Sequence, residues 1–70
     1  MDMAKIHRFF DEGGELYFSR QDGKCILVTQ FTIDDEKYRS AMWVTHDTDL
    51  NELIDFKVSS GLAGLKRQKG

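Results

Sequence analysis

The chain has no proline, a single cysteine and no apolar run near the roughly 20 residues that a membrane-spanning helix needs. With Cys25 alone, no internal disulfide can staple the fold. Cys25 lies in an apolar run, reads as a small core residue, and suits a reducing compartment. One cysteine and two histidines do not supply a structural zinc site. No signal-peptide core is expected at the start, because Lys5, Arg8, Asp11 and Glu12 break up the apolar residues. These absences together point to a cytoplasmic protein with no membrane contact.

Signatures of catalysis are also lacking. No Gly-x-Ser-x-Gly elbow surrounds Ser59-Ser60-Gly61, and no Walker or dinucleotide fingerprint occurs. Gly13-Gly14 lies among Asp11, Glu12 and Glu15, the wrong charge for a phosphate cradle. His46-Asp47-Thr48-Asp49 is the densest group of metal-ligand types, but Asp49 is better placed to cap a helix. Asp34-Asp35-Glu36 lacks the further ligands and the glycine of a calcium loop. The expectation is a protein without catalytic residues, cofactor or bound metal, and not an enzyme.

What is present is a small domain with uneven charge. Seventy residues make one domain, and such a chain buries only about 60% of its unfolded surface. A partner or a second copy would add to its stability. Residues 1–65 read as the domain, with seven basic and twelve acidic side chains, a net of −5. Residues 66–70 hold Lys66, Arg67 and Lys69 with no acid, and read as a basic flexible tail. An acidic body avoids polyanions and suits a basic protein surface.

The pattern from Glu15 to Thr45 predicts an antiparallel meander. Leu16–Arg20, Lys24–Ile33 and Lys37–Thr45 are rich in β-branched and aromatic residues. Asp22-Gly23 is a favoured pair for a two-residue type I′ hairpin, and it sets Tyr17 opposite Val28. Asp34-Asp35-Glu36 is the second turn. With Asp35-Glu36 as its loop, Ile33 opposes Tyr38 and Val28 opposes Trp43. One face then carries Leu16, Phe18, Cys25, Leu27, Phe31, Ile33, Tyr38, Met42 and Val44, a core face. The other carries a row of Tyr17, Val28 and Trp43 flanked by Ile26 and Ala41, with Gln30 and Arg39 at its rim. A one-residue change in the second loop would turn the third strand over.

Asp49-x-x-Glu52 is a capping box that opens a C-terminal helix. Leu50, Leu53, Ile54, Val58, Gly61, Leu62 and Leu65 form its apolar stripe. Gly61 and Gly64 each cost about 1 kcal/mol relative to alanine, so the helix is expected to be firm to about Ser59, with either a stop at Gly61 or a loose continuation. Phe56 lies off the stripe. Ile6, Phe9 and Phe10 fit a short helix that would fold over the Tyr17/Trp43 face, but Lys5–Phe10 as an edge strand is favoured, since it would widen a small sheet. The fold expected is α+β: a meander of three or four strands followed by one C-terminal helix packed on one face.

Function is read from the second face. Tyr17, Ile26, Val28, Gln30, Arg39 and Trp43 are the candidate partner-binding residues, because exposed Trp, Tyr and Arg dominate interface hot spots. A protein partner is expected, either a second copy or a different protein, with regulation as its role. One form of this is a virus- or mobile-element-encoded inhibitor that occupies a basic groove on a host protein. The alternative is single-stranded nucleic acid stacked on the aromatics. With an N-terminal strand, the meander plus helix is similar in outline to single-strand-binding domains of the transcriptional-coactivator type. The surplus of acids disfavours that alternative.

Overall fold

The computed structural model describes residues 2–69. The element order is α1 (Met3–Asp11), β1 (Glu15–Gln21), β2 (Lys24–Ile33), β3 (Glu36–Val44) and α2 (Leu50–Lys69). The three strands form an antiparallel sheet in the order β1-β2-β3, and the fold is α+β as the pattern predicts. Neither helix is long and apolar enough to cross a membrane.

The first segment is a helix, not an edge strand. Asp2 caps it, its carboxylate accepting from the Lys5 amide at 3.1 Å. The helix places Ile6 and Phe9 on one side, where both are buried. Gly13, with φ +96°, ends it: Gly13 donates to the Phe10 carbonyl and Gly14 to the Phe9 carbonyl. A strand would have turned Phe9 and Phe10 to opposite faces. The helix sends Phe9 into the core and leaves Phe10 exposed. The Lys5 ammonium joins α1 to α2 through Asp55 (2.9 Å) and the Ser59 hydroxyl (2.8 Å).

The first hairpin has the predicted register, with Tyr17 opposite Val28 and Gln21 opposite Lys24. Asp22 (φ 53°) and Gly23 (φ 75°) supply the two left-handed positions of the turn. The second hairpin differs. Its loop is Asp34-Asp35, both left-handed at φ 52° and 67°, so Glu36 pairs with Ile33. β3 is thereby displaced by two residues from the predicted register. Trp43 lies opposite Ile26, and Val28 lies opposite Ala41. A slide of two residues keeps every side chain on its face. The faces therefore stand, but Tyr17, Val28 and Trp43 are not one row. The observed register sets Phe31 against Tyr38, their rings stacked at 5.2 Å and 22°.

The core lies between the sheet and the helices: Ile6, Phe9, Leu27, Ile54, Val58 and Leu65, with Leu16, Phe31, Ile33, Val44, Leu53 and Leu62 packed against them. α2 runs over β2. A helix is about 10 Å across, enough for one strand and parts of its neighbours. Leu27 is accordingly buried, while Phe18 and Met42 on either side of it stay about half exposed. Cys25, expected in the core, is exposed; it lies beside the first turn, at the end of the sheet.

α2 continues past Ser59 to Lys69, through both glycines and through the segment set apart by charge as a tail. Packing outweighs helix propensity here. A Cβ built on Gly61 would lie 2.6 Å from the Phe9 ring, and one on Gly64 2.9 Å from the Phe31 ring. Gly14 meets the opposite approach, 2.4 Å from Phe9. Phe9 thus sits between two glycines that leave room for its ring.

Candidate interaction surface

The sheet face turned away from the core carries Glu15, Tyr17 and Ser19 on β1. It carries Lys24, Ile26, Val28, Gln30 and Thr32 on β2, and Lys37, Arg39, Ala41 and Trp43 on β3. Its cross-strand rows are Ser19–Ile26–Trp43, Tyr17–Val28–Ala41 and Glu15–Gln30–Arg39. None of these residues belongs to the core cluster under the helices. The shortest extent of the molecule, 15 Å, accommodates the sheet and one helical layer.

The six predicted contact residues share this face but differ in exposure. Trp43 is 65% exposed and Tyr17 39%. Arg39 is exposed and Gln30 is half-buried. Ile26 and Val28 are only 2% and 0% exposed. They lie on the central strand between residues of β1 and β3 that stand within contact distance across each ladder. They form the floor of the surface, and a docking partner would meet Tyr17 and Trp43 first. The two aromatics are diagonal neighbours across β2, separated by one row.

Charge on the face differs from that of the chain. Lys24, Lys37 and Arg39 stand against Glu15 alone, and the Glu15 carboxylate accepts a hydrogen bond from the Gln30 amide. The Lys24 ammonium lies 3.7 Å from the centre of the Trp43 ring. Such a cation–π contact is worth about 0.5–1 kcal/mol at an exposed site, and it holds the indole over the sheet. The acids that make the chain negative lie elsewhere, in the turns (Asp22, Asp34, Asp35) and on the helices and the loop before α2.

The other candidate sites have structural occupations. Asp49 Oδ1 accepts from the Glu52 amide at 3.2 Å, as a helix cap does. Thr45 and Thr48 close the loop before it through the Thr45 amide at 2.9 Å. Tyr38 donates to Glu36 at 2.9 Å, and this bond, with the negative charge of Glu36, raises the phenol above its ordinary 10.0.

One residue of functional character does not follow from sequence reading. Lys57 is 2% exposed and donates to the Ser40 hydroxyl across the gap between α2 and β3. Burial lowers its pKa from 10.5. The signal was available, since Lys57 lies three residues after Ile54 and four before Gly61, within the apolar stripe. A lysine there reads as a stem that reaches out to water, which conceals its burial.

No protein-family model, curated protein or solved structure matches this chain.

Proposed function

We propose that this chain is a non-enzymatic binding module that docks a different protein on its open sheet face, and that the partner's contact surface is acidic around an apolar centre. The observation that carries this reading is Trp43, 65% exposed on a face outside the core, with Lys24 against its ring. A large exposed indole on a marginal domain is a liability unless it is covered in use. Lys37 and Arg39 on the same strand as Trp43 give the rim its sign.

The same charges argue against a face-to-face dimer. Two copies would set Lys24, Lys37 and Arg39 against their equivalents, and Glu15 is already engaged by Gln30. An inhibitor of a basic groove would need acids on this face, whereas they lie on the turns and helices.

Single-stranded nucleic acid is the second reading, favoured by the concentration of cations beside Trp43 and Tyr17. The topological likeness that first suggested it falls away, because the N-terminal segment is a helix. The hairpin turns at the two ends of β2 are acidic (Asp22 at one, Asp34 and Asp35 at the other). They leave room for a compact acidic patch but repel a phosphate backbone running the length of the sheet.

Affinity capture with matched baits tests the proposal. The wild-type chain should retain a protein that is lost with the double variant Tyr17→Ala/Trp43→Ala and with Arg39→Glu. The same protein should stay with Phe56→Ala on the opposite side. Far-UV circular dichroism of each variant should keep its helical signal. Capture that depends on Phe56 and not on Trp43 would overturn the assignment. Salt-sensitive binding of a labelled oligonucleotide that requires Trp43 would replace it with the second reading.

A further inference from the structure

A second site lies on the opposite side of the sheet and shares only Arg39 with the open face. Between α2 and β3 runs a groove of about 280 Å³, lined by Phe31, Tyr38, Ser40, Met42, Phe56 and Lys57 among others. This volume is just below the range of about 300–1,000 Å³ usual for small-molecule sites, so it suits a small ligand. The stacked rings of Phe31 and Tyr38 make one aromatic wall. Phe56 and Met42 are 59% and 41% exposed, more than a finished core would leave them.

The groove contains a cation without a counter-charge. Lys57 is 2% exposed, and its ammonium donates to the Ser40 hydroxyl. Among the described residues no carboxylate lies within ion-pair distance of it, and the ion pair they do form, Lys5 with Asp55, lies outside the groove lining. A buried ammonium is held at a cost that an anion would offset, and it has donors beyond the one given to Ser40. The surroundings limit the anion's charge. Glu36 stands at the Tyr38 hydroxyl, and Asp49 and Glu52 border the adjoining hollow beside Met42 and Phe56. Arg39 also reaches the lining, but an anion with two charges would still face those three acids.

We propose that this groove binds a small aromatic monocarboxylate, its carboxylate on Lys57 and Ser40 and its ring against Phe31 and Tyr38. The carboxylate supplies the missing counter-charge, and the ring fills apolar space that α2 leaves open. Burial already lowers the pKa of Lys57, and a bound carboxylate would raise it again.

The test is an NMR titration of the intact chain with three probes of one shape: phenylacetate, phenylacetamide and phenethylamine. Shifts are expected at the Ser40, Lys57 and Ser60 amides, with the acid bound roughly tenfold more tightly than the amide. The amine should not compete. In Lys57→Met the acid and the amide should bind alike. If that variant does not fold, Ser40→Ala keeps the ammonium and removes the hydroxyl. It should weaken the acid severalfold and leave the amide unchanged. Equal binding of acid and amide to the wild type would overturn the proposal, as would a preference that survives Lys57→Met. So would shifts confined to Tyr17, Lys24 and Trp43. Hexanoate bound as tightly as phenylacetate would overturn the aromatic part.

Discussion

The two faces of the sheet come from the same three strands, and both bury apolar side chains of β2. On the helix side Leu27 is covered from outside by Ile54, Val58 and Leu65 of α2 and by Phe9 of α1. On the open side Ile26 and Val28 are equally inaccessible, and neither belongs to the cluster under the helices. Trp43, opposite Ile26 on β3, remains mostly in water. The helix side spends its apolar area on holding the fold together. The open side buries a floor and holds its largest aromatic in reserve, with cations around it. A face that the fold leaves uncovered, yet keeps apolar and charged, is the one we propose for association.

The largest expected effect is at Phe9, on the packed side of the sheet. Phe9 is 0% exposed and its ring lies against Gly14 and Gly61. Phe9→Ala should cost about 3–5 kcal/mol, enough to unfold a domain this small, whereas Trp43→Ala should cost about 1 kcal/mol or less. Urea unfolding of the two variants side by side measures the contrast. Comparable losses would mean that both faces are core.

A smaller effect sharpens the same contrast through its sign. Alanine normally stabilises a helix interior by about 1 kcal/mol over glycine. At Gly61 its Cβ would press on a Phe9 ring that has no free space to move into. Gly61→Ala should therefore destabilise by about 1–3 kcal/mol, read as a lower midpoint in thermal unfolding. Stabilisation would show that α1 does not hold Phe9 there.

The smallest effect concerns pH. The folded pKa of Lys57 lies below its unfolded value of 10.5, so the unfolded chain binds the extra proton. Stability from this group rises as pH climbs through the window between the lowered value and 10.5. Tyr38 acts in the opposite direction, its raised phenol pKa removing stability as pH rises beyond 10.0. Comparing Lys57→Met with the wild type isolates the lysine. The variant should lack the rise, and identical profiles would contradict the burial of Lys57.

How far the sequence foretold this architecture depended on whether the deciding contact was local. Asp22-Gly23 announces its turn, and the first register follows from it. Asp34-Asp35-Glu36 offers two two-residue loops of similar chemistry, and the choice rests on what pairs further along the strands, Phe31 with Tyr38 included. The alternation of side chains survives either choice. For that reason the pattern places Tyr17 and Trp43 on the face they occupy but in a single row, whereas they lie in adjacent rows. The extent of α2 was not legible, because Gly61 and Gly64 read as breakers until the rings of Phe9 and Phe31 are known to approach them. Lys57 is illegible for a similar reason, since neither its burial nor its bond to Ser40 is a property of the helix alone.

The open face carries a direct reporter, because Trp43 is the only tryptophan in the chain. Its fluorescence should be recorded free and then with a captured partner at saturation. The account predicts a blue shift of the emission and loss of quenching by iodide, as the partner removes the exposed indole from water. A saturated complex in which Trp43 emission and quenching stay unchanged would contradict it and place the interface on the helix side.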